Sequence, residues 1–241
     1  MAQITHLSET VSTNADALQA GREGCADNSW FIADRQTGGR GRRGRVWVSE
    51  PGNLYCSVVL RHLPPGRSAA EMSFVAALAL DDALQTWIAP DRLAIKWPND
   101  LLLDGLKLAG ILLESQTDGD DDPWVVLGLG VNIAHHPKDV ERPATSLSAA
   151  GLTLTPAQMF NAFSSCFARW RSRWHEAGIS ALHPALRQRM VGIGQNILIR
   201  LNDRELEGRF ERIDDFGALV LLDHSGERHF ITAGDVFIKN G

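Results

Sequence analysis

Residues 69 to 88, AAEMSFVAALALDDALQTWI, place apolar side chains on every side of a helix and hold no glycine or proline. A helix of that kind has no face to give to water, so other elements must wrap it. With 241 residues and 44% hydrophobic content the chain can do this in one large domain, or in a domain plus a small module. The wrapping strands stand on both sides of the helix. A short strand near Ile4, SWFIAD at 29 to 34, residues 46 to 48 and NLYCSVVL at 53 to 60 precede it. LAIKW, KLAGILLES and WVVLGLGVNI follow it, broken by turns at residues 98 to 100, at Gly105 and at residues 117 to 123. In VSTNADALQA either Ser12 or Thr13 can cap a helix starting near Asn14, and residues 154 to 178 form a long amphipathic helix. This order predicts an α+β fold, a mixed β-sheet flanked by helices.

From about Met190 the pattern changes. QNILIRL, RELEGRFERI, ALVLLD and RHFITA are short strands separated by Asn202 and Asp203, by residues 214 to 217 and by residues 224 to 226, all with good turn chemistry. They predict a small antiparallel β-barrel over residues 189 to 241, after a larger unit of residues 1 to 188. The formal net charge of −5 argues against a surface built for bulk phosphate binding. Cys25, Cys56 and Cys166 lie far apart without metal-ligand spacing, which predicts reduced thiols. MAQITHLSET has neither the basic start nor the apolar run of a secretory signal, and no segment is apolar for long enough to span a bilayer. A cytoplasmic protein is expected.

Several motifs carry little chemistry. Asp118, Asp120 and Asp122 begin like a calcium loop, but Pro123 stands where its glycine belongs and Leu129 where its glutamate belongs, so the segment reads as a solvated turn. His135 and His136 have no further ligand at metal spacing. GLGVN, residues 128 to 132, lacks the third glycine and the helix of a dinucleotide fingerprint. GGRGRRGR, residues 38 to 45, is different: four arginines alternate with glycines in an acidic chain. Glycines let backbone amides close on an anion, and arginines offer planar forks to carboxylate or phosphate. A solvated basic loop and a nucleic-acid arm with Trp47 as stacking platform are the competing readings. The loop's place between two core strands favours ligand clamping, and its arginine self-repulsion predicts mobility without ligand. KWPND, residues 96 to 100, presents Asn99 and Asp100 at a strand end, and KLAGILLE, residues 107 to 114, opens on a lysine and holds Gly110 where a ligand can approach.

Taken together, STN at 12 to 14, Gln36, GRGRRG at 39 to 44, KWPND, KLAGIL at 107 to 112 and GLGVN resemble, in order and spacing along the whole chain, the biotin protein ligases. The resemblance implies a catalytic domain like that of class II aminoacyl-tRNA synthetases followed by an SH3-like barrel. It implies that biotin and ATP form biotinyl-5′-AMP with the help of Mg2+, and that a lysine of a biotin carboxyl carrier protein then takes the biotin. Residues carried over for biotin are Ser12, Thr13, Asn14, Gln36, Arg40, Gly41, Arg42 and Lys107; for the nucleotide, Arg42, Arg45, Trp47, Asn99 and Asn132. Arg40, Arg42, Lys107 and Asp100 are placed at the reacting centre, Asp100 with its role open and the metal ligands unassigned. No DNA partner is expected, because the winged helix of the bifunctional members has no counterpart here, and a homodimer is left open. The alternatives are a lipoate or octanoate ligase, which lacks GRGRRG with KWPND and KLAGIL, and a single-stranded nucleic-acid binding module.

Overall fold

The computed structural model describes residues 3–117, 123–138, 143–201 and 204–238. The acidic tract at 118 to 122 and the turn at Asn202 and Asp203 lie outside the described residues. The chain opens with strand β1 (Ile4–Thr10), helix α1 (Thr13–Arg22) and strands β2 (Ser29–Gln36) and β3 (Leu54–Leu60). Helix α2 (Met72–Leu84) follows, then β4 (Leu93–Lys96), β5 (Asp100–Leu103), β6 (Leu106–Gln116) and β7 (Trp124–Val131). Helices α3 (Pro156–Ala177) and α4 (His183–Arg189) complete this part. The sheet runs β1-β2-β3-β7-β6-β5-β4, parallel between β1 and β2 and antiparallel elsewhere.

Helix α2 is wrapped as its composition demands, lying between β4, β5 and β6 on one side and α3 on the other. It ends at Leu84, earlier than the apolar run, because Trp87 N bonds Leu84 O and Pro90 stands ahead. Each fully buried leucine along it contributes roughly 2 kcal/mol by leaving water. Helix α3 starts where its sequence dictates. Thr155 and Gln158 form a reciprocal capping box, Pro156 takes the first turn, and Gly178 at φ 69 ends the helix. Its buried stripe brings Phe160, Phe163 and Phe167 edge-on to Trp30 of β2, with centroids 5.2, 6.1 and 5.8 Å away. Among the described residues, α1 is the helix on the opposite face of the sheet, over a small cluster of Ala17, Val59, Trp124 and Val126. Beyond the amino end of α1 no helix among the described residues covers that face, which makes room for a cleft beneath the arginine loop.

The carboxyl-terminal strands β8 (Asn196–Arg200), β9 (Glu205–Ile213), β10 (Leu219–Asp223), β11 (Arg228–Ile231) and β12 (Asp235–Ile238) form an antiparallel sheet in the order β11-β10-β9-β8-β12. The expected barrel is not closed: among the described residues β11 and β12 make no ladder with each other. Strand β12 pairs with β8 instead, and its Asp235 turns toward the arginine loop and its Phe237 toward Lys96 of β4. The two sheets are joined by an Ile95–Met190 bridge and by Val191 N donating to Ile95 O at 2.9 Å. Residues 46 to 48, expected as a strand, form only the single bridge from Val46 to Arg40, because they belong to the arginine hairpin.

Candidate active site

Every residue named above for biotin, nucleotide or the reacting centre lines one cavity of about 310 Å3, on the face left open beyond α1. This is at the small end of small-molecule sites, which run from about 300 to 1,000 Å3. Its closed end is polar and neutral. Ser12 holds the cap position of α1 in extended backbone without a capping bond, so its hydroxyl stays with the cavity. Gln36 Oε1 accepts from Thr13 N at 2.9 Å, and Gln36 Nε2 donates to Ser49 Oγ at 2.9 Å. Asn14 is buried against Ser57 of β3 and Glu114 of β6.

The other end is cationic. Lys107 sits beside a β-bulge: Leu102 pairs with Lys107 but Leu101 with Ala109, so Leu108 is the extra residue. A bulge re-aims its neighbours, and Lys107 Nζ is carried to 2.6 Å from Asp100 Oδ1 and 5.4 Å from the Trp47 ring centroid. The ion pair is close but poorly aligned, since Asp100 Oδ1 is buried without a hydrogen bond. Arg42 Nη1 donates to Asn99 Oδ1 at 3.1 Å, and Asn99 is anchored by donating from Nδ2 to Ile111 O at 2.7 Å. Burial, then the neighbouring Arg43, lower the pKa of Arg42 below the ordinary arginine value. It stays charged at any working pH, and a half-buried cation beside another cation is a site that gains from an anion. Trp47 lies across Gly110 and Gly130, which are paired in register; a Cβ on Gly130 would stand 2.6 Å from the indole. Its Nε1 is buried without a partner. Asn132 is spent on structure, Nδ2 donating to Thr145 O at 3.0 Å, although it borders the cavity.

The arginine loop is a compact hairpin. Gly41 N donates to Arg45 O at 2.7 Å and Trp47 N to Gly39 O at 2.9 Å, with Arg43 at φ 57 and Gly44 at φ 71 turning its tip. The self-repulsion that argued for a mobile loop is partly offset by Asp235 of β12, whose Oδ2 is 2.6 Å from Arg45 Nη2 and 3.3 Å from Arg43 Nη1. Asp235 was invisible to sequence reasoning, as were Ser57 and Glu114; the available signals were a serine in the apolar NLYCSVVL and a glutamate closing KLAGILLE. Partly exposed ion pairs contribute up to about 1 kcal/mol. Asp235→Asn is therefore expected to raise tryptic cleavage after the loop arginines about fivefold in the ligand-free protein. Unchanged cleavage would remove Asp235 as the tie.

A cleft with a neutral polar end and a cationic mouth, on an open sheet face beside a glycine-arginine hairpin, suits the joining of an acid to a nucleotide. The chain belongs to the biotin/lipoate A/B protein ligase family, whose model matches residues 11–132. Residues 192–239 match the biotin protein ligase C terminal domain, which puts the chain on the biotin side of that family. It is 41% identical to a biotin--[acetyl-CoA-carboxylase] ligase of Paracoccus denitrificans, over 96% of this chain and 98% of the relative. It is 32% identical to the bifunctional ligase/repressor BirA of Bacillus subtilis, over 92% of this chain and 70% of the relative. The fold matches a biotin protein ligase from Aquifex aeolicus, solved in complex with biotin and ATP, with a TM-score of 0.83, 22% identity and full coverage of both chains. No helix among the described residues is long and apolar enough to cross a membrane.

Proposed function

We propose that the protein is a biotin protein ligase that activates biotin with ATP and transfers it to a lysine of a biotin carboxyl carrier protein. The observation that carries this is the polarity gradient of the cavity, hydroxyls and amides at one end and Arg40, Arg42 and Lys107 at the other. Biotin has the matching gradient, a ureido ring at one end and a carboxylate at the other. Ser12, Thr13, Asn14 and Gln36 receive the ring, and the apolar side chain of Leu112, on the face of β6 between Gly110 and Glu114, borders the cavity.

In the first step a carboxylate oxygen attacks the α-phosphorus and pyrophosphate leaves. Two anions must meet, so the site needs cations placed in advance where charge gathers. Lys107, Arg40 and Arg42 supply them, with the Gly41 backbone closing over the acyl phosphate. Trp47, Asn99, Arg45 and Asn132 border the nucleotide, and Arg45 must exchange Asp235 for phosphate as ATP enters. In the second step the acceptor amine attacks the biotinyl carbonyl and AMP leaves. Magnesium would neutralise the triphosphate, and Asp100, whose Oδ1 already stands 2.6 Å from Lys107 Nζ, would have to exchange that partner to hold it. Residues 1–188 hold the reacting groups, and residues 189–241 act as a second unit through Asp235 at the loop. A lipoate or octanoate ligase has no use for the polar closed end. A nucleic-acid arm is disfavoured because Arg43 and Arg45 turn back to Asp235.

The test is exchange of labelled pyrophosphate into ATP, which should require biotin and magnesium, followed by labelling of a carrier domain. Exchange supported better by octanoate or lipoate than by biotin would overturn the assignment.

A further inference from the structure

We infer that Ser49 is a positioning residue that ties the amide of Gln36, at the closed end of the cavity, to the base of the arginine hairpin, so that biotin binding and hairpin closure stabilise each other. This rests on the biotin reading above. Ser49 is buried, stands two residues beyond Trp47 and does not itself border the cavity. Its hydroxyl accepts from Gln36 Nε2 at 2.9 Å and donates to Trp47 O at 2.9 Å. A backbone group at each end fixes the direction of this chain of bonds. Thr13 N can only donate, so the oxygen of the Gln36 amide faces it at 2.9 Å and the nitrogen is left to face Ser49. Trp47 O can only accept, so the single Ser49 proton goes there and the hydroxyl oxygen remains to receive Gln36. Thr13 of α1 is thereby connected to Trp47 of the hairpin through two side chains.

The same hydroxyl accounts for a glycine of the loop. Gly39 O receives Trp47 N across the base of the hairpin, and a Cβ on Gly39 would lie 2.5 Å from Ser49 Oγ and 2.5 Å from Trp47 O. Any side chain there would push the hydroxyl out of line. Gln36 is the last residue of β2 and borders the cavity, and a glutamine side chain is among the costlier ones to immobilise. With the hairpin closed, Ser49 holds the amide in place before a ligand arrives. When Trp47 lifts away, the hydroxyl loses the acceptor that orients it, its proton turns, and its oxygen no longer faces Gln36 in a fixed direction. A ligand that bonds to Gln36 therefore binds the closed hairpin more tightly than the open one, and by linkage it holds the hairpin shut to the same degree.

Ser49→Ala removes the hydroxyl and leaves the backbone bonds from Gln36 N to Ser49 O and from Trp47 N to Gly39 O, so the hairpin can still form. In wild type, saturating biotin should slow tryptic cleavage after the hairpin arginines about tenfold, within the usual range of coupling between two sites. In Ser49→Ala that protection should fall below about twofold at saturating biotin, and biotin affinity by calorimetry should weaken about fivefold. A merely structural role predicts a lower thermal midpoint with the protection at saturating biotin intact. Ser49→Cys, whose thiol is close in size but a weak donor and acceptor, should show the same loss and carries the test if Ser49→Ala fails to fold. Wild-type protection retained by either folded variant overturns the inference, as does wild-type protein that binds biotin and gains no protection from it. Wild-type protein that binds no biotin at all overturns the ligase reading itself.

Discussion

Lys107→Ala is expected to lower biotin-dependent pyrophosphate exchange about a hundredfold, equivalent to roughly 3 kcal/mol of transition-state stabilisation. The bulge at Leu108 delivers Nζ to the cationic end of the cavity, where the proposed reaction brings the attacking carboxylate to the α-phosphate. Lys107 also neutralises Asp100, a side chain only 7% exposed, at 2.6 Å. Removing the lysine alone leaves that carboxylate buried and unpaired, which is itself destabilising by several kcal/mol. The double variant Lys107→Ala/Asp100→Asn separates the two effects. It should recover thermal stability and leave exchange depressed. If exchange returns with stability, the lysine acts by holding Asp100, and its place at the reacting centre is lost.

The fold was legible where a local rule had a single outcome. The all-round apolar run at 69 to 88 had to be wrapped, and it became α2 between sheet and α3. Thr155, Pro156 and Gln158 marked the start of α3. The segments singled out for the candidate site all reach one cavity. What could not be read were pairings across long stretches of chain. Asn14 and Glu114 are 100 residues apart, and Arg43 and Asp235 are 192 apart; nothing local to either member announces the other. The hairpin shape of the arginine loop followed the same logic. Its own charges repel one another, and a distant carboxylate, Asp235, is among the groups that offset them. The unclosed carboxyl-terminal sheet also turned on a tertiary choice, β12 pairing with β8 while Asp235 meets the arginine loop and Phe237 meets Lys96 of β4.

Arg42→Gly should make biotinyl-5′-AMP and then fail to keep it. The hairpin is closed by backbone bonds from Gly41 to Arg45 and from Trp47 to Gly39, none of which uses the Arg42 side chain, so the loop's shape survives the change. Lys107 and Arg40 remain at the cationic end for the first step. What disappears is a guanidinium aimed by Asn99, whose burial and whose neighbour Arg43 raise the cost of its charge until an anion arrives. A charge-assisted hydrogen bond of this kind holds a bound anion by about 2 kcal/mol, so the adenylate should dissociate roughly thirtyfold faster. Released adenylate is a mixed anhydride that acylates amines in water without guidance. The variant should therefore label lysines of a bystander such as albumin, at a level that rises with added ATP and falls when a free primary amine competes. Wild-type protein under the same conditions should label only its carrier. Arg42→Gly that forms no adenylate and labels no bystander would place Arg42 in the first chemical step and remove the retention role.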